Sequence, residues 1–387
     1  MPQRQPQLLN PSTSQLTKIF LFAMEHLFYP IALTKIPKVG PITARTLVSY
    51  CGSPEEVFRS SAKALLKIPG IGAQLAQQIK STEPQVAAEK ELAHLKHHQI
   101  QALFYLDEHY PSRLKHYPDS PLLLYHRGNA DLNAKRIVAI VGTRKPTIQG
   151  TSFCEEMLEQ LVPYDPLIIS GLAYGIDICA HRKALEVKLP TVGVLAHGLA
   201  HLYPPGHRSV AQKMLDNGGI LTEYGFETNA EKEHFPLRNR IIAGMCDVLV
   251  VVETARYGGS IITAKYANEY NKDVFAVPGR VKDPFSVGCN ELIKNNQAHL
   301  MESAEDLVRM LRWDLPPYTY GVQQQLFIEL STEEKNIVNL LRQDEEKNID
   351  ELTFVAQKSS SAMAALLLEL EFKGVIKALP GKRYILI

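Results

Sequence analysis

The sequence predicts an α/β protein with a mostly parallel sheet at its centre, a helical domain before it and a small helix-and-hairpin unit after it. Three observations carry this expectation. Short apolar runs end in glycine- or arginine-rich turns at IVAIVGTRKP (Ile137–Pro146), LIISGLAYGIDICAH (Leu167–His181), FPLRNRIIAG (Phe235–Gly244) and DVLVVVETARYGGSIITA (Asp247–Ala264). Each reads as a buried strand whose turn opens a helix. Two Ile-Pro-x-apolar-Gly turns lie upstream, in IPKVGPITARTLV and IPGIGAQLAQQI. Near the C-terminus, Ser331 and Glu334 form a capping-box pair ahead of an apolar run.

At 387 residues and 45% apolar, the chain has room for two or three domains with a sizeable core. Its net charge is +1, so bulk charge does not announce a polyanion partner; a nucleic-acid surface must be a local patch. The five cysteines have no CxxC spacing and read as reduced residues of a cytoplasmic protein, not as a zinc site or disulfide framework. The run Ile19–Leu33 holds Glu25, His26 and Pro30, too interrupted for a membrane span, and reads as a first helix.

In order, residues 1–15 are polar and proline-rich, a disordered tail. Residues 16–95 are a helical domain of helix–hairpin–helix, SAM-like type. Its glycine turns suit either contact with a nucleic-acid phosphate or simple helix packing. Its first turn has Lys38 where glycine is expected. Residues 96–312 are the core, entered through a proline-rich connector with one strand at Ala102–Leu106. Further strands are expected at Thr191–Leu195, Gly219–Glu223, Asp273–Pro278 and His299–Met301. Helices are expected near Ile148–Leu161, Gly175–Glu186, Arg208–Asp216, Ser260–Asn271 and Asn290–Asn295. Residues 313–330 read as a linker. Residues 331–387 hold three helices and two strands, a winged-helix arrangement. Its third helix is apolar and acidic, which favours protein contact, or duplex contact through the wing alone.

In a parallel sheet the strand C-termini line one crevice, where helix N-termini offer N–H groups to anions. Gly142 and Thr143 make a tight turn from which Arg144 projects, to hold a phosphate or to pair with a carboxylate. Ser170, Gly171 and Gly175 form a loop of hydroxyl and backbone donors, an anion nest. Asp177 and His181 share a helix face, as base and orienter or as a pair that fixes this loop. Arg238, Asn239 and Arg240 read as opening a helix, where the dipole favours phosphate. Phe235 before them either stacks on a base or packs in the core. Gly258, Gly259, Ser260 and Thr263 repeat the nest, Lys265 adds charge, and Arg208 stands at the mouth. His197, His201 and His207 read as surface loop histidines; no metal site is expected.

These motifs, taken in order, resemble the DprA/Smf family. The resemblance rests on Val141–Arg144, Ser170–Asp177 with Ala180 and His181, Tyr203-Pro204, Asn217–Gly219, Thr222–Tyr224, Phe235–Gly244, Gly258–Ser260, Thr263-Ala264, Val277–Gly279 and Gly288–Asn290. It covers roughly residues 100–312, and the flanking domains fit the family's longer members. The resemblance implies an extended Rossmann-like core without a dinucleotide or other cofactor. It also implies binding of single-stranded DNA with little sequence preference, RecA loading during natural transformation and a homodimer, with no catalysis. A more distant likeness is to lysine-decarboxylase-like nucleotide phosphoribohydrolases, whose motif places a catalytic glutamate after a Pro-Gly-Gly turn. Here no acid follows Gly258-Gly259 until Glu269. A dinucleotide-binding oxidoreductase would need a glycine fingerprint that is missing.

Overall fold

The computed structural model describes residues 26–313, 330–342 and 346–386. The expected tail, most of the linker and the start of the apolar run Ile19–Leu33 lie outside them; within the described part, the first helix is Phe28–Thr34.

Nine strands form one sheet: β1 (Gln101–Phe104), β2 (Leu123–Gly128), β3 (Ile137–Gly142), β4 (Leu167–Ser170), β5 (Thr191–Val194), β6 (Gly218–Thr222), β7 (Val248–Val252), β8 (Asp273–Ala276) and β9 (His299–Leu300). Their order is β1-β2-β6-β5-β4-β3-β7-β8-β9. From β6 to β9 all neighbours are parallel. β1 and β2 add an antiparallel edge to β6. The connector thus carries two strands, not one. The prolines of YPSRLKHYPDSP mask the strand signal of the Leu123–Tyr125 run beside them, which is buried.

Both faces of the sheet are covered, and side-chain alternation along β3 shows it. Ile137, Ala139 and Val141 pack into one core; Val138 and Ile140 pack into the other, with Cys154, Leu158 and Ile176. The N-terminal helices extend the first core. Glu91 pins them to the loop after β6, accepting from Lys35 Nζ at 2.6 Å and Phe226 N at 2.7 Å. In their two hairpins, Gly40 and Gly72 cap the helices Pro41–Cys51 and Ala73–Lys80. Just before, Lys38 and Gly70 both take positive φ, 65° and 81°. Lysine therefore stands in the left-handed conformation that glycine adopts without strain.

The C-terminal unit has its own core. Helices Thr332–Arg342, Ile349–Val355 and Ser360–Phe372 pack on strands β10 (Lys347–Asn348), β11 (Ile376–Leu379) and β12 (Arg383–Leu386). The short β10, not expected from the sequence, pairs with β12. The capping box is present: Ser331 N donates to Glu334 Oε2 at 2.7 Å, and Glu334 N to Ser331 Oγ at 3.2 Å. Lys115–Glu351 at 2.9 Å and Ser49–Ser360 at 3.1 Å tie this unit to the rest of the chain.

Candidate nucleic-acid interface

After β6 the chain crosses back to lay β7 beside β3, so strand order reverses there. Parallel α/β sheets bind ligands outside the strand C-termini at such a switch point. A cleft of about 660 Å³ opens at this place. Its walls are Gly142–Arg144 after β3, Ala173 and Asp177 after β4, Tyr203 after β5, and Lys232, Phe235, Arg238 and Asn239 after β6. Thr254, Gly258–Ser260 and Thr263 close it after β7.

The loops are set by internal bonds. Thr143 N donates to Glu253 O at 2.7 Å. The Glu253 carboxylate accepts from Thr147 N at 2.8 Å and from the Thr147 hydroxyl, and that hydroxyl caps the helix Ile148–Leu161. Gly175, at φ +82°, lies so close to the Thr143–Arg144 backbone that any Cβ would collide with it. Ile176 N then donates to Thr143 O at 3.1 Å. Gly175 therefore seats the Arg144 loop and does not itself line the cleft.

The floor holds two buried charges of opposite sign, Asp177 and Arg238, each bonded to backbone and each felt by the other through its field. Asp177 accepts from Gly171 N at 3.1 Å and Ala173 N at 3.3 Å. Arg238, 4% exposed, donates to Gly171 O at 2.8 Å and to Val194 O. Burial pushes the Asp177 carboxyl up, against the pull of Arg238 and these N–H groups. Burial likewise draws Arg238 down to about 10, which leaves it charged at neutral pH.

Several expectations are corrected here. The helix carrying Arg238–Arg240 begins at His234, so these residues sit inside it and not at its N-terminus. Arg238 is a structural tie, and Arg240 pairs with Glu223 at 2.5 Å away from the cleft. The Ser170–Gly175 loop is no open nest: Ser170 Oγ donates to Ile140 O at 2.6 Å, and the Gly171 and Ala173 N–H groups serve Asp177. Asp177 fixes the loop, but His181 bonds Thr191 Oγ1 at 2.7 Å instead of joining it. His197 and His207, expected on the surface, are buried; His201 is exposed. Among the described residues no cluster could hold a metal ion.

The rim differs from the floor. Arg144 is exposed, with its guanidinium 6.0 Å from the Phe235 ring centroid. Phe235 is half-buried, its ring in T-shaped contact with Tyr203, 5.9 Å between centroids at 68°. At the turn after β7, Gly258 N donates to Ala255 O. Gly259 and Ser260 open the helix Gly259–Glu269, and the first N–H groups of a helix have no carbonyl of their own to bond. Ser260 Oγ is given to Thr254 Oγ1 at 2.7 Å. Arg208 and Lys265 are exposed but outside the cleft lining. Lys232 lines the cleft too, although in the sequence AEKEH looks like a solvated charge run.

Such a sheet, with its site at the switch point and helix–hairpin–helix and winged-helix modules on either side, defines a multi-module protein of the Rossmann-like class. The chain belongs to the DprA/Smf family: residues 101–312 match the family model "DNA recombination-mediator protein A". Residues 31–82 match the SAM-like helix-hairpin-helix tandem, and 325–382 the DprA winged helix domain. The chain is 30% identical to Protein Smf of Synechocystis, over 92% of this chain and 98% of the relative. It is 39% identical to DNA processing protein DprA of Streptococcus pneumoniae, over 52% of this chain and 71% of the relative. The crystal structure of that S. pneumoniae protein aligns with a TM-score of 0.62 at 30% identity, covering 73% of this chain and 96% of that one. A Helicobacter pylori DNA processing protein A, described for its single-stranded DNA binding mode, aligns with a TM-score of 0.51 at 30% identity, covering 56% and 97%.

Proposed function

We propose that this chain is a single-stranded DNA-binding recombination mediator, which holds the incoming strand and loads RecA recombinase onto it during natural transformation. The observation that carries the reading is the rim of the cleft: Arg144 beside the Phe235 ring, with Lys232 also lining the cleft. Single-strand binders pair cationic groups that follow the backbone with aromatic faces that accept any base. Arg144 and Lys232 hold phosphates, the N–H groups of Gly259 and Ser260 add a helix N-terminus, and Phe235 stacks on a base. The H. pylori relative supports the same ligand. A homodimer would set two clefts on one strand and raise affinity through avidity.

Among the described residues, no helix is long and apolar enough to cross a membrane. The glycosidic-hydrolysis reading has little support. Glu269 ends the helix that Gly259 begins, about 15 Å from the turn at 1.5 Å per residue.

Fluorescence anisotropy with a labelled oligo-dT strand and a matched duplex, at several salt concentrations, tests the proposal. Single-strand binding that exceeds duplex binding and falls steeply with salt supports it. Equal affinity for both strands and duplex, or release of free base from a nucleoside monophosphate, overturns it. RecA filament growth on that strand, with and without the protein, tests the loading step.

A further inference from the structure

Two exposed tyrosines next to the cleft are each mounted on a buried histidine. Tyr203 and Tyr174 are both 50% exposed. His197, 2% exposed, accepts Tyr203 N–H at Nε2 (3.2 Å), and its Nδ1 lies 2.7 Å from Gly198 O. Because Tyr203 N is a donor, Nε2 must be bare and Nδ1 must carry the proton. A buried neutral imidazole thus fixes the backbone of Tyr203, whose residue lines the cleft and whose ring makes a T-shaped contact with Phe235. His207, 4% exposed, lies 2.9 Å through Nδ1 from Leu172 O, and its ring meets Tyr174 at 4.9 Å and 72°. Tyr174 follows Ala173, which lines the cleft, and the exposed Arg208 follows His207.

A half-exposed tyrosine ring contributes little to a core. Held rigidly by buried polar side chains, it presents a flat apolar face at low entropic cost, which is what a base-stacking platform needs. Both rings stand on loops after adjacent strands, β4 and β5, so they share one side of the cleft.

We propose that Tyr203 and Tyr174 are base-stacking platforms that lead a single strand out of the cleft on its β4–β5 side, toward a phosphate contact at Arg208. This rests on the single-strand reading above and extends its footprint past the Arg144–Phe235 cleft. It also gives the buried histidines His197 and His207 a role as mounts.

The test compares oligo-dT with an abasic strand of equal length. Tyr203→Ala and Tyr174→Ala should each weaken oligo-dT binding roughly tenfold, the scale of one lost base stack, and leave the abasic strand unaffected. Tyr203→Phe should keep the wild-type affinity. Arg144→Ala serves as the control, lowering affinity for both strands because it holds phosphate. Equal losses on both strands in the tyrosine variants, or no loss on either, overturn the stacking lane while the single-strand reading stands. If the wild-type protein binds neither strand, that reading falls and the lane falls with it.

Discussion

Arg144 and Arg238 line one cleft and do opposite work. Both sit in motifs that marked them for phosphate. Arg144 is exposed, and among the described residues it forms no ion pair; its neighbour is the face of Phe235. Arg238 is 4% exposed and spends its guanidinium on Gly171 O, Val194 O and the field of Asp177. The floor arginine ties the end of β5 and the loop after β4 to the helix His234–Met245. Its charge is matched inside the protein, so the attraction for a polyanion comes from the rim. A single cleft therefore separates into a part that holds the fold and a part that meets a ligand.

The largest effect that would break this division is on stability. Arg238→Ala leaves the Gly171 and Val194 carbonyls without their donor and removes the positive field beside Asp177, and leaving a buried polar group unsatisfied costs about 1–3 kcal/mol. Urea denaturation should show that loss, and the double variant with Asp177→Asn should recover part of it. An Arg238→Ala protein of wild-type stability that no longer binds DNA would move Arg238 to the rim. The next effect belongs to Arg144→Ala. It should weaken single-strand binding by about 1–3 kcal/mol, the value of a charged hydrogen bond, and change stability by less than about 0.5 kcal/mol.

Acid should separate the two parts without mutation. Burial lowers His181 from 6.5 to about 3 and His126 from 6.5 to about 4. Below pH 6.5 the unfolded chain takes up these protons and the folded chain does not, so stability is complete above that pH and falls as pH drops toward about 3. The slope is at most about 1.4 kcal/mol per pH unit for each histidine. Asp177 works the other way near the bottom of the window, since its raised folded pKa favours proton uptake in the native state. Denaturation series across this range should show the slope, and His181→Asn should flatten it. Among the described residues no histidine lines the cleft, so the rim should keep its attraction wherever the fold survives.

The sequence made the sheet legible because parallel strands buried on both faces are written as uninterrupted apolar runs, such as Ile137–Val141. The cleft was legible too: Gly142–Arg144, Phe235, Asn239 and Gly258–Ser260 meet there. Exposure was not legible. Arginine has the same letter whether a carboxylate six residues beyond Gly171 balances it or solvent does, and only the packing of the helix after β6 on the loop after β4 brings Arg238 to Asp177. The histidines misled for the same reason. His197 and His207 lie in a proline- and glycine-rich loop, yet backbone carbonyls and an N–H group take them inside.

Lys232 sharpens the comparison most finely. It lines the cleft from an exposed loop, between Glu231 and Glu233. Glu231 lies 3.8 Å from His234, and no ion pair to Lys232 is present among the described residues. As a mobile point charge it should hold a phosphate less firmly than the fork of Arg144. Lys232→Ala is therefore expected to cost about 1 kcal/mol of binding at low salt. It should also flatten the dependence of log K on log salt by about 0.7, one phosphate contact on a single strand. Arg144→Ala should give the same change in slope with the larger loss at every salt concentration, because its fork adds directed hydrogen bonds to the charge. If Lys232→Ala weakened binding equally at all salt concentrations, the lysine would be acting through loop structure, and the rim would reduce to Arg144 and the helix N-terminus beside it.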